Sequence, residues 1–170
     1  MASEHPLIIN GWTVYFHPLF VDRLARLIAD IESERSKNPS AHRTSPKAKL
    51  LKSIRTIVLN RIPNDPADKR YRLGGTLGSD HKHWFRDKFG NGRFRLFFRF
   101  DTKAKIILYG WLNDETTLRT YGSKSDAYAV FTSMLNDGNP PDDWDRLLAE
   151  CTAPETARTA AELLKRSKDE

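Results

Sequence analysis

Residues 81–100 read HKHWFRDKFGNGRFRLFFRF, where six Lys or Arg, two His and seven aromatic residues accompany a single acid, Asp87. Guanidinium and ammonium groups at this density attract polyanions, and Arg can hold a phosphate through two parallel hydrogen bonds or stack on a base. Side chains alternate across a strand, so RFRLFFRF places Phe94, Leu96, Phe98 and Phe100 on one face and Arg93, Arg95, Phe97 and Arg99 on the other. KHWFRDKF divides the same way, with Lys82, Trp84, Arg86 and Lys88 opposite His83, Phe85, Asp87 and Phe89. Two adjacent strands are expected to present one apolar face and one open cationic face with an aromatic on each strand. A merely solvated sheet face is the bland alternative, since alternation is ordinary there. Such a face mixes signs to limit cross-strand repulsion, whereas here the one acid falls on the opposite side. Trp84 and Phe97 could stack on unstacked bases, or could equally be core at a sheet edge.

Cutting RNA without a metal requires a 2′-hydroxyl to lose its proton, the charge on pentavalent phosphorus to be stabilised, and the 5′-oxygen to gain a proton. Arg and Lys can meet the second need, at about 10²- to 10³-fold per group. His, Tyr or Glu usually meet the others, and the candidates are His81, His83, Tyr109, Tyr121 and Glu115. Parity turns His83 inward, as a buried, hydrogen-bonded histidine; His81 lies better placed at the strand end. His5, His17 and His42 are scattered, and no His, Asp or Glu pair has metal-ligand spacing, which disfavours a metal nuclease. No serine or cysteine has the context of an activated nucleophile. No cofactor is implied.

The elements that would position these groups follow from periodicity. LIINGWTVYFH reads as a strand interrupted at Asn10-Gly11. Pro18 suits a first helical turn, and Phe20, Leu24, Leu27, Ile28 and Ile31 mark an amphipathic helix ending near SKNP. Ser45 and Pro46 form an N-cap and N1 pair for a second helix carrying Leu50, Leu51, Ile54, Ile57 and Val58 and closed by Pro63. The period then changes from 3.6 to 2: YRLGGTLG is a short extended piece, and KHWFRDKF, RFRLFFRF and KIILYGWL form an antiparallel meander through the GNG and DTKA links. A third helix starts near Ser125, carries Val130, Phe131, Met134 and Leu135 inward and stops at Gly138; DDWDRLLAE and PETARTAAELLKRSKDE supply two more. The expected fold class is α+β, a twisted antiparallel sheet packed on two N-terminal helices with further C-terminal helices. Residues 1–150 are expected to form one domain, with 151–170 a helical tail and no separate domain.

At 170 residues the chain can bury one ordinary core. Its net charge of +6 and 28 Lys and Arg favour polyanionic partners. One cysteine, Cys151, cannot form an internal disulfide and reads as inert. MASEHPLIINGW lacks a basic and then apolar leader, and no apolar run approaches the roughly 20 residues that span a bilayer. A cytoplasmic protein without membrane partners is expected.

The order of strand, two helices and a meander with an Arg-rich middle strand resembles the RelE/ParE superfamily of bacterial toxins. NGWTVYFHPLF (10–20), LGS (77–79), KFGNGRFRLFFRF (88–100), GWLNDETTLRTYG (110–122), SDAY (125–128) and PPDDW (140–144) together resemble the YhaV family, the toxin half of PrlF–YhaV type II toxin–antitoxin modules, over roughly residues 8–150. That resemblance implies a RelE-like fold and an endoribonuclease that degrades mRNA, in association with translating ribosomes. It also implies inhibition by a PrlF antitoxin with an AbrB-like domain, in a toxin–antitoxin hetero-oligomer. It makes Arg86 indispensable, sets Lys88 and Arg93 in the same block, and puts Arg119 and Tyr121 near the scissile phosphate. The family pattern does not require His81 or His83. From the residues alone, Arg119 could instead pair with Asp114 or Glu115, and Tyr121 could seat its ring beside the third helix. Lys82, Trp84, Arg93, Arg95, Phe97 and Arg99 are the RNA-binding candidates; Arg86, Lys88, Arg119 and Tyr121 are the catalytic ones. A non-catalytic toxin that binds an essential protein target, as ParE-like relatives bind DNA gyrase, and a non-cleaving RNA-binding module are the competing readings.

Overall fold

A computed structural model describes residues 6–168 of the chain. Strands β1 (Leu7–Ile9), β2 (Trp12–Phe16), β3 (Phe85–Phe89), β4 (Phe94–Asp101) and β5 (Ile106–Leu112) form one sheet in the order β1-β2-β5-β4-β3. β3, β4 and β5 are the expected antiparallel meander, but β2 runs parallel to β5, so the sheet is mixed rather than purely antiparallel. That pairing joins segments about ninety residues apart, and no local pattern encodes it. Asn10 and Gly11, at φ 52° and 82°, do more than interrupt a strand. Positive φ at both positions suits the two-residue turn that folds β1 back on β2.

Helix α1 (Pro18–Lys37) follows β2, and α2 (Pro46–Thr56) starts at the Ser45 cap, whose hydroxyl accepts the Ala48 amide at 3.1 Å. Such a cap is worth about 1 kcal/mol. α2 passes into a π-helical stretch, Ile57–Arg61, and a closing turn, α3 (Ile62–Asn64), which contains Pro63. Proline lacks an amide hydrogen and crowds the carbonyl four residues back; the widened turn, with Ile62 donating to Ile57, accommodates it. Val14, Phe16, Leu96, Phe98, Ile107 and Tyr109 pack on the inward residues of α1 and α2, as parity requires. Asp87 also faces this side, where Arg61 Nε donates to it at 3.0 Å. The single acid of the basic stretch thus offsets a helix cation.

The opposite sheet face is not open. Helices α4 (Ala127–Asn136) and α5 (Trp144–Thr152) cover it, and a second core gathers Trp84, Phe97, Leu108, Trp111, Phe131, Leu135, Leu147 and Cys151. Burial holds the Cys151 thiol far above its usual range. A bulge at Phe97/Phe98 brings Gly110 against the Trp84 ring, where a Cβ would lie 2.6 Å from it. Helix α6 (Pro154–Ser167) returns to the first core, contributing Ala160 and Leu163 beside α1 and α2. No described helix is long and apolar enough to cross a membrane.

Candidate active site

The tip of the β3–β4 hairpin is Gly90-Asn91-Gly92, with φ of 59°, 58° and 77°. From β3, Arg86 Nε donates to the Tyr128 hydroxyl at 3.0 Å, and from β4, Arg95 Nε donates to the same oxygen at 2.9 Å. Arg86 also donates to the Arg70 carbonyl at 2.8 Å, and Arg95 to the carbonyls of Gly92 and Phe94 at 2.7 and 3.0 Å. A phenol oxygen has two acceptor lone pairs and one proton. Two guanidinium donors fill the first, leaving the proton free to point elsewhere.

Asn113, fully buried, fastens the neighbouring loop to this hairpin: its Oδ1 accepts the Arg95 amide at 2.7 Å, and its Nδ2 donates to Arg93 and Thr117 carbonyls. The Arg119 amide donates to the Arg93 carbonyl at 3.0 Å, which brings Arg119 to the same end of the sheet. Its guanidinium lies 3.8 Å from the Tyr121 ring centroid and 4.8 Å from that of Tyr128, and it pairs with Asp126. Asp126 in turn caps α4, accepting the Tyr128 amide at 2.9 Å and the Thr120 amide at 2.6 Å. Burial works to raise the Asp126 pKa, but hydrogen bonds from Arg119, Thr120 and Tyr128 and the charge of Arg119 outweigh it and hold the carboxyl below its usual range. Three guanidiniums therefore converge on Tyr128, beside a Tyr121 ring that is 86% exposed. Lys88 and Arg93 project into solvent from the same hairpin.

The other expected RNA contacts are placed differently, because the face they share is covered. Trp84 is 1% exposed, meets Phe131 edge-on at 5.1 Å and donates Nε1 to Asp142 at 2.9 Å. Phe97 stacks on Phe131 at 4.1 Å. Both are core residues and offer no surface to a base. Arg99 is buried, donates to the Asp142 carbonyl and lies over Trp84 and Trp144 at 5.7 and 5.4 Å. Burial lowers its pKa, with Asp142 and Asp143 opposing. It secures the loop before α5 to the sheet. Arg95 is buried too, so it holds Tyr128 instead of reaching outward. Lys82 is exposed but lies in the turn before β3, which begins three residues later than expected.

The acid–base candidates sort as clearly. His81 is buried between Asp142 at 2.7 Å and Asn136 at 3.0 Å, whereas His83, expected inward, is exposed. His17 caps α1, accepting the Leu19 amide on Nδ1, and reaches Glu150 through Nε2 at 2.8 Å; burial lowers its pKa against the opposing pull of Glu150. Tyr109 is core, donating to the Val58 carbonyl, and burial drives its pKa well up. Glu115 lines a separate cleft with Arg23 and Lys47. Arg119 pairs with neither Asp114, which Arg23 engages at 2.7 Å, nor Glu115. His5 falls outside the described residues. Only Tyr121 joins the cluster. Among the described residues no group of three or more His, Cys, Asp or Glu side chains could hold a metal ion. Tyr128 was not among the site residues expected from sequence, although SDAY, with Asp126 as cap, carried the signal.

A family profile described as a toxin with endonuclease activity, of a toxin–antitoxin system, matches residues 14–152. The chain belongs to the YhaV toxin family. It is 44% identical over 148 residues to the ribonuclease toxin YhaV of Escherichia coli strain K12, a match covering 86% of this chain and 96% of that relative. The YhaV toxins of Escherichia coli O157:H7 and O6:H1 match to the same extent. No solved structure gives a significant match. The YhaV match spans all three arginines, Tyr121 and Tyr128, and stops before α6.

Proposed function

We propose that this YhaV-family chain cuts RNA at the Arg86–Tyr128–Arg119 cluster, by metal-independent attack of a 2′-hydroxyl on the adjacent phosphorus. Endoribonuclease toxin activity follows from its family and its relatives; the assignment to these residues is our reading. In the reaction the O2′–P bond forms, the P–O5′ bond breaks, the O2′ proton passes to solvent water and a proton is delivered to O5′. The guanidiniums of Arg86 and Arg119, with Lys88 and Arg93 at the rim, offset the charge developing on the phosphoryl oxygens. Tyr121 supplies a π-face for a base next to the cut. The outward proton of the Tyr128 hydroxyl is the candidate donor to the leaving oxygen. An antitoxin of the PrlF type and message held on the ribosome belong to the same proposal, as the toxin's inhibitor and its substrate.

The convergence of three guanidiniums on one phenol beside an exposed tyrosine carries this reading. Its test is Arg86→Ala. Arg86 is half-buried at an edge strand, so the variant should melt near wild type while losing RNA cleavage and growth inhibition. Cleavage of RNA by the purified variant at an undiminished rate would remove Arg86 from the site.

A further inference from the structure

An open groove of about 520 Å3 lies between α2 and β3, lined by Lys49, Lys52, Ser53, Thr56, Arg61 and Lys88. Lys49, Lys52, Ser53 and Thr56 are spaced i, i+3, i+4 and i+7, so they share one face of α2. The helix carries four basic residues and no acid. Lys47 is paired with Asp30 at 2.8 Å, and Arg55 is turned to the Leu164 carbonyl at 2.9 Å. Lys49 and Lys52 are left over: like Lys88, they have no carboxylate partner among the described residues. Like charges one turn apart disfavour a helix on its own, and a polyanion laid across them removes the repulsion.

We propose that this groove holds the phosphodiester backbone of the RNA strand next to the cut, with Lys49 and Lys52 each contacting a phosphate. The proposal rests on the reading that the neighbouring cluster cuts RNA. Lys88 lines the groove and lies two residues from Arg86 on β3, the last strand of the sheet, so the groove on the α2 side and the cluster on the other side flank the same sheet edge. The groove fits phosphates better than an acidic peptide. Its apolar lining residues, Ile57 and Phe89, are 1% and 7% exposed and offer no anchor for a side chain. Ammonium groups on flexible stems contact phosphates without reading sequence.

The experiment compares full-length wild type with Lys49→Ala/Lys52→Ala. Salt-dependent binding is measured to a labelled 2′-O-methyl RNA, which lacks the attacking hydroxyl, and single-turnover cleavage to unmodified RNA at saturating protein. Loss of two phosphate contacts should lower the slope of log affinity against log salt by about 1.4 and weaken binding about tenfold near physiological salt. The cleavage rate at saturation should stay at the wild-type value, because neither lysine belongs to the cluster. Unchanged affinity and slope in a variant with wild-type melting would overturn the groove while leaving the cluster intact. So would selective loss of binding to a polyglutamate peptide with RNA binding untouched, which would make the groove a protein site. If the wild type itself fails to cut RNA, the cluster reading falls first and the groove with it.

Discussion

Arg86 Nε donates to the hydroxyl of Tyr128 at 3.0 Å, tying the edge strand to a helix 42 residues further along the chain. Because Arg95 takes the second lone pair at 2.9 Å, the hydroxyl can act outward only as a donor. Tyr128→Phe keeps the ring and deletes that donor. Single-turnover cleavage is expected to fall about 10²-fold or more. Stability should fall about 1–2 kcal/mol, since the buried Arg95 loses an acceptor. If cleavage by the folded variant is unchanged, the Tyr128 hydroxyl neither donates the proton nor positions the two arginines for the reaction.

Tyr121 is held against Arg119 at 3.8 Å and otherwise faces solvent. Tyr121→Ala should therefore leave the melting temperature in place while weakening binding of uncleavable RNA by about 1–3 kcal/mol. Tyr121→Phe separates ring from hydroxyl. Wild-type binding with normal cleavage in Phe assigns the residue to stacking, whereas loss of cleavage with normal binding assigns it a proton.

Asp126 makes the arrangement sensitive to acid. Its folded pKa is depressed below the ordinary value of 3.8, so its stabilising contribution is complete above the unfolded pKa and is lost as pH falls through the folded one. Asp126→Asn is expected to lower stability at neutral pH, through loss of the Arg119 pair and a weakened α4 cap. The gap to wild type should narrow as pH is lowered below about 4. Urea unfolding at a series of pH values measures both curves; a gap independent of pH would show that the charge of Asp126 contributes nothing.

Local pattern made the hairpins, the Ser45 cap, α1, α2 and the parity of β4 legible, because each depends on residues a few positions apart. The covered second face was not legible from strand parity. Arg95 and Arg99 look like surface residues, yet each is buried with internal partners, and their guanidiniums lie over the rings of Tyr128 and Trp84. Phe131 and Leu135 gave the clue, since an apolar helix face must bury itself against something and the first sheet face was already covered by α1 and α2. Arg119 came from family likeness alone, and Tyr121 both from that likeness and from the acid–base candidates read off the residues. Their position depends on Asn113, Asp126 and the Arg93 carbonyl, contacts that no spacing announces.

Helix α6 lies beyond the family match, but its contacts make it part of the core that supports β3. Arg55 of α2 donates to the Leu164 carbonyl at 2.9 Å, and Leu163 is buried in the same core as Leu24, Leu51 and Phe98. Leu163→Ala should cost about 2–5 kcal/mol, as for other buried leucines. The per-molecule cleavage rate of the folded fraction should not change, because no atom of α6 belongs to the Tyr128 cluster. Denaturant titration and active-site-normalised cleavage separate the two effects. A variant with wild-type stability but impaired cleavage would show that α6 serves the reaction and not the core.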